Sequence, residues 1–354
     1  MPADGVDPRY GPGLDQLTIV APPAIVAHRW RVPPPDAAAL IDWPADFGTR
    51  YAIFVDTEEE FDWSAPFAHD AHGLSAFAAL PEAHRRLAAH GAAPAFFVDY
   101  PVAADPHAVD LLRTILADDP RAAIGAQLHP WVNPPFEEPL SVVASYVGNL
   151  PPALIEAKLR LLTEAIATAF GRRPLAFRAG RYGLAPRMFA LLARFGYRLD
   201  SSVRPGFDYR AEGGPDFTRV GSAAWRDLVV ELPLSTVFTG LLRRRGAPLH
   251  AALGAIPHGR GLFARTHLLS RVPLTPEGVP VEEALEAIAV ALGEGSRLLN
   301  FAFHSPSLAP GHTPYVRDGA DLVRFWRWWD RVLDLLDRRG VRSASLDELL
   351  AAVG

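Results

Sequence analysis

Residues 51–63 read YAIFVDTEEEFDW. A five-residue apolar run leads straight into Asp56, Glu58, Glu59, Glu60 and Asp62, which crowd the end of what reads as a strand. A strand with one wet face alternates apolar with polar residues, whereas a strand covered on both faces reads as a continuous apolar run. Runs of this second kind recur at 94–98, 122–128, 174–177, 197–199, 228–232 and 298–303, with a further candidate at 341–346.

Helical patterns separate most of these runs. Residues 153–170 follow Pro151 and Pro152, carry Leu154, Leu161, Leu162 and Ile166 on helical spacing, and stop at Gly171. Residues 185–195 stop at Gly196, and 282–292 repeat the pattern. In 320–338, Leu322, Phe325, Trp326, Trp329, Leu333 and Leu336 form a broad stripe that reads as core packing. Doubly buried strands alternating with helices predict an α/β fold around a parallel sheet, and this many units predict closure into a (β/α) barrel. No glycine-rich phosphate-binding fingerprint follows any strand, which disfavours a nucleotide fold. The alternation begins near residue 48. Residues 1–47, proline-rich and aperiodic, predict an irregular extension packed on a 48–354 barrel, with a short strand at 17–21.

Composition bounds the function. The chain has 354 residues, 49% hydrophobic and 21% charged, which is ample for a core. A net charge of −5 gives no reason to expect nucleic acid or an anionic membrane as partner. The basic run LLRRRG at 241–246 reads as a solvated loop or helix end. The absence of cysteine excludes disulfides, thiolate metal sites and cysteine nucleophiles. No apolar stretch reaches the ~18–20 residues that span a bilayer, and the N-terminus has no apolar signal core, so a cytoplasmic protein is expected.

The chemistry stands at the strand ends. Asp56, His129, Arg178, Asp200 and His304 each directly follow an apolar run. In a parallel barrel these ends open onto one face, so residues far apart in sequence converge there. Carboxylates with imidazole suit a divalent metal such as zinc. Asp56 and Glu58, two residues apart, point the same way on an extended chain, so one can hold a metal while the other takes a proton. An arginine orients a neighbouring carboxylate, and a histidine from another strand can protonate a leaving group.

The ordered set FVDTEEEF, GAQLHPWVN, FRAGRYG, GYRLDSSV and FAFHSPS resembles the polysaccharide deacetylase superfamily (NodB-homology, carbohydrate esterase family 4) over about residues 48–310. The aspartate–x–glutamate first motif is most similar to the WalW-like branch. The resemblance implies a distorted (β/α) barrel of seven or eight units and metal-dependent removal of an N- or O-acetyl group from an acetylated oligosaccharide, polysaccharide or sugar precursor. It implies Asp56 as base, Glu58 and His129 as metal ligands, Arg178 as partner of the base and His304 as acid. Asp200 is implied to hold His304, and Leu298 or Leu299 to receive the acetyl methyl. Trp131, Tyr182 and Ser305 are further expected substrate contacts, with Ser307, His312 and Tyr315 as loop candidates.

Two departures stand out. The second metal histidine falls on Asn133, an amide that is a weaker zinc ligand, and RAGRYG has one more residue between Arg178 and Tyr182 than the usual form. His69, Asp70 and His72 are candidates to replace the missing ligand, though the segment also reads as an exposed loop. Glu59 is expected to face away from Glu58 or meet a cation, Glu60 to support the site, and Asp62 to cap a turn before Trp63. Two alternatives remain open from the residues: a glycoside hydrolase using Glu58 and Glu60, and a carbohydrate-binding relative without turnover.

Overall fold

A computed structural model of the chain describes residues 25, 27, 30–62 and 64–354. The expected strand at 17–21 and Trp63 lie outside them. The strands are β1 (Arg50–Thr57), β2 (Ala95–Val98), β3 (Ala123–Leu128), β4 (Ala176–Ala179), β5 (Leu199–Asp200), β6 (Trp225–Arg226), β7 (Val230–Glu231), β8 (Thr236–Thr239), β9 (Ser270–Pro273), β10 (Leu298–His304) and β11 (Arg342–Ser343). The main sheet runs β10-β1-β2-β3-β4-β5-β7-β6, with β11 also on β1, while β8 and β9 form a separate antiparallel pair. Among the described residues, only β6 is antiparallel within the main sheet. β2 and β3 are buried along their whole length, and β1 along all but its first residue, as their unbroken apolar runs require.

The barrel closes irregularly. Between β7 and β10 the chain carries Pro233, which has no N–H for a ladder. Asn300 of β10 instead donates from Nδ2 to the carbonyls of Leu232 (3.0 Å) and Pro233 (3.1 Å). Ser235 N–H donates to the Asn300 carbonyl (3.0 Å), and Leu274 N–H to the Ser235 carbonyl (2.8 Å). The result is the distorted barrel that the resemblance implied.

The helices are α1 (Leu80–Ala89), α2 (Tyr100–Ala104), α3 (Pro106–Asp118), α4 (Pro152–Phe170), α5 (Met188–Arg194), α6 (Gly246–Leu253), α7 (Gly259–Arg265), α8 (Val281–Gly293), α9 (Gly319–Arg338) and α10 (Leu346–Ala352). α4 ends on Gly171 in the left-handed conformation (φ 72°), which glycine adopts without penalty. α9 lays Phe325 and Trp329 on Phe303 of β10, with ring centres 5.5 Å apart in both pairs. Trp328 is buried as well, whereas Trp326 stands on the flank beneath the Arg86 guanidinium (4.2 Å). The basic 241–246 run forms a turn at Arg243–Arg245 that leads into α6, in keeping with its solvated reading. Residues 30–47 lie against the barrel: Trp30 Nε1 donates to the Leu184 carbonyl (2.7 Å), and Ile41 N–H to that of Ala224 (2.9 Å). Among the described residues no helix is long and apolar enough to cross a membrane.

Register positions the site. The parallel pairing sets Asp56 beside His304, Gln127 beside Arg178 and Asp200 beside Glu231.

Candidate active site

Asp56 is the penultimate residue of β1 and is buried. Its Oδ1 accepts from Arg178 Nη1 at 2.5 Å. The same guanidinium donates to the Ser201 carbonyl (2.9 Å) and Oγ (3.0 Å), so three bonds fix its plane. The other carboxylate oxygen of Asp56 lies 3.5 Å from His304 Nε2. On its far side His304 Nδ1 is 2.6 Å from Glu277 Oε2, and Ser307 Oγ donates to Glu277 Oε1 (2.6 Å). Burial works against the His304 imidazolium. The Glu277, Glu58 and Asp56 charges outweigh it and hold the group well above the ordinary histidine range. Burial likewise opposes ionisation of Glu277, yet His304 brings it below the usual carboxylate value.

A second group adjoins this pair. Glu58 Oε2 and His129 Nε2 are 3.5 Å apart. The Gln127 amide reaches both, at 2.8 Å and 3.2 Å, and its Oε1 has no partner. His129 Nδ1 is 2.8 Å from Glu59 Oε2, while Asp99 accepts from Glu59 N–H (2.9 Å) and caps α2 through Val102 N–H (2.9 Å). The imidazole lies flat on the Trp131 indole (4.4 Å, 16°). Gly180 presses from the end of β4, where an added Cβ would come within 2.0 Å of the ring. Burial pushes Glu58 up to about 7 and Glu59 up to about 8, and raises Asp99 strongly, with Glu59 adding to it. A buried carboxyl raised this far gains when a cation arrives.

The donors fit a divalent ion. Two ligands at ~2.1 Å in tetrahedral geometry are separated by about 3.4 Å, close to the Glu58–His129 spacing. A carboxylate on Nδ1 is also the usual partner of a histidine that ligates through Nε2.

Several expected site residues lie elsewhere. Asn133 is fully buried, its amide donates to the carbonyls of Pro134 (2.7 Å) and Lys158 (3.1 Å), and it does not line the cleft of Glu58 and His129. Asp200 does not orient His304. It accepts from Ser202 Oγ (2.6 Å) and pairs with Glu231, and burial raises both carboxyls. Leu299 is core, Leu298 packs on the Ala52 side of the sheet, and neither lines the cleft. Trp131 is buried behind His129. Ser305 Oγ accepts from Glu58 N–H (3.1 Å) and so holds the first motif, while Ser307 supports Glu277. His69 contacts the Trp131 carbonyl (2.7 Å), and Asp70 and His72 are exposed, so this loop does not supply a ligand. Glu60 turns away to Ser75, Ala76 N–H and His312, which leaves the glycosidase alternative without its second carboxylate. Asp62 accepts from Ser64 N–H (2.8 Å), the turn cap expected.

The cleft, about 230 Å³, opens over Asp56, Glu58, His129 and His304. Tyr182, His312 and Tyr315 do line it. The extra residue of RAGRYG is absorbed by Arg181 and Tyr182, both left-handed (φ 54° and 57°), a conformation costly outside glycine. Sequence reasoning missed Glu277, Gln127 and Asp99. Gln127 shares a strand face with His129, and Asp99 directly follows the 94–98 run, so both carried the signal used for the other strand ends. Glu277 is the first carboxylate after an acid-free stretch, 232–276.

Among solved structures, the chain is similar to a Mycobacterium smegmatis protein assigned as a polysaccharide deacetylase, with 17% identity, 91% of this chain and 95% of that chain covered, and a TM-score of 0.50. A GH57-type branching enzyme from Pyrococcus horikoshii matches at 13% identity (87% and 71% covered, TM-score 0.49). A family 4 carbohydrate esterase from Streptomyces lividans matches at 12% (84% and 91%, TM-score 0.41). No protein-family model and no curated protein matches the sequence. At such identities the first likeness establishes the fold, a distorted barrel of the polysaccharide-deacetylase type.

Proposed function

We propose that the chain is a divalent-metal-dependent hydrolase that removes an N- or O-linked acetyl group from a carbohydrate, with residues 48–354 as the catalytic unit. The carrying observation is that Asp56, held by Arg178, faces His304, held by Glu277, at 3.5 Å beside the Glu58–His129 donor pair. The aspartate–x–glutamate order of Asp56 and Glu58 supports the WalW-like branch. Glu58 and His129 would hold the ion, zinc suiting this oxygen–nitrogen set, with the Gln127 amide beside both. When bound, the ion supplies Lewis acidity and makes a water more acidic.

The protein's own groups do the rest. Asp56 takes the proton of the attacking water through Oδ2, the oxygen not held by Arg178. His304, protonated and fixed through Nδ1 by Glu277, presents Nε2 to the departing sugar nitrogen or oxygen. The experiment is acetate release from acetylated oligosaccharides. Asp56→Asn and His304→Ala should each lower turnover by about 10²–10⁴-fold, and chelation should abolish activity that zinc restores. Undiminished release by either variant, or by chelated enzyme, would sink the reading.

A further inference from the structure

The cleft that holds the proposed acid–base pair also carries an arginine that no acid pairs among the described residues. Arg204 lines it, with its guanidinium carbon 4.0 Å from the centre of the Phe207 ring and 5.3 Å from that of Tyr182. A second guanidinium, that of Arg271, packs on the same Phe207 ring at 3.5 Å. Among the described residues no carboxylate lies within ion-pair distance of either arginine, whereas Arg178 has Asp56 and Arg181 has Glu212. Arg204 donates from Nη1 to the Tyr209 hydroxyl (3.2 Å), and Arg271 from Nη1 to the Gly206 carbonyl (2.5 Å). The buried Nε of each has no partner. Burial, with Arg204 and Arg260 adding to it, pushes Arg271 down to about 10.

Two half-buried arginines sharing one ring without a counter-ion are an expensive arrangement unless something anionic meets them. Tyr182 and Tyr209 line the cleft beside Arg204 and offer aromatic faces to a sugar ring. Guanidinium binds carboxylate and phosphate through paired N–H bonds that a neutral hydroxyl cannot return. We propose that the acetylated sugar taken by this cleft is acidic, bearing a carboxylate or phosphate, and that Arg204 selects it, with Arg271 behind Phe207 adding to the field. This rests on the carbohydrate reading of the site and names its substrate class. Arg204 is a specificity residue and takes no part in the proton transfers of Asp56 and His304.

Equilibrium binding to chelator-treated protein tests it, read by titration calorimetry or saturation-transfer NMR with glucuronate, glucose 6-phosphate and glucose. The expected result is that at least one charged sugar binds about tenfold or more tighter than glucose, with the preference shrinking in high salt. Preference for glucuronate assigns a uronate, and preference for glucose 6-phosphate a phosphate. In Arg204→Gln the preference should vanish, and in Arg204→Lys it should largely return. Equal binding of all three sugars by the wild type overturns the proposal, whether or not the variants fold. So does a preference unchanged in a folded Arg204→Gln protein. No turnover is involved, so failed deacetylation leaves this result readable, and equal binding leaves acetate release untouched.

Discussion

His304 keeps its proton because of the company around it. Burial opposes the charge, but Glu277 at Nδ1 (2.6 Å), with Glu58 and Asp56, outweighs it. The folded-state pKa is raised above the unfolded value of ~6.5. The stabilisation from this pairing is therefore fully present below about pH 6.5 and is lost as pH climbs through the raised value. In Glu277→Gln the largest attractive charge is gone and burial counts for more, so the imidazole should titrate at lower pH. The alkaline limb of turnover should move down, with a loss of about tenfold or more at pH 8 that is partly recovered on acidification. A pH–rate profile checks this together with NMR titration of the His304 ring in metal-free protein; an unmoved ring pKa would remove Glu277 from the mechanism. The resemblance implies Asp200 in this role. Side-chain direction decides otherwise: Asp200 bonds Ser202, beside Glu231.

α4 shows how an element can hold a site from behind. Its buried face runs Leu154, Ile155, Lys158, Leu159 and Leu162, so a lysine sits where spacing predicts an apolar residue. Pro130, Pro134 and Pro135 stiffen the facing loop and remove its N–H groups. The free carbonyls turn instead to Lys158 Nζ, from Pro130 (2.9 Å), Asn133 (2.6 Å) and Pro135 (2.8 Å), with Glu138 completing the shell at 2.8 Å. Asn133 is thus part of this clamp rather than a ligand, and the clamp fixes the loop that begins at His129. Lys158→Met leaves Glu138 buried and unpaired, and should cost about 3–5 kcal/mol in urea unfolding. Adding Glu138→Leu should recover part of that loss. Equal stability of wild type and single variant would contradict the clamp. Long, doubly buried strands and capped helices such as β1, β3, β10, α4 and α9 were legible because burial on both faces, or along one stripe, leaves a periodic trace. The β8–β9 pair and the α6–α7 hairpin left little: they are short, partly exposed and lie in the acid-free 232–276 stretch, where no polar alternation marks a face.

At the scale of the whole molecule, the barrel's irregular seam is wired to the proposed base. The ladder stops at Pro233, and Asn300 closes the gap through the carbonyls of Leu232 and Pro233. The same amide reaches Ser201 Oγ (3.2 Å), which donates to the Leu232 carbonyl (2.6 Å) and accepts from Arg178 Nη2 (3.0 Å). Arg178 in turn holds Asp56. Closure, the arginine plane and the orientation of the proposed base thus share one buried hydrogen-bond network, and β10, which carries Asn300, ends on the proposed acid His304. Buried groups that lose partners cost ~1–3 kcal/mol each. Asn300→Leu leaves the Pro233 carbonyl without its donor, while Leu232 keeps Ser201 Oγ and Ser201 keeps Arg178, so it should destabilise the fold by about 1–3 kcal/mol in urea unfolding. Because Ser201 then loses one of the contacts that fix it against Arg178, turnover should fall more than KM rises, even where the variant is fully folded. A variant with wild-type stability and wild-type turnover would show that the seam and the base are independent.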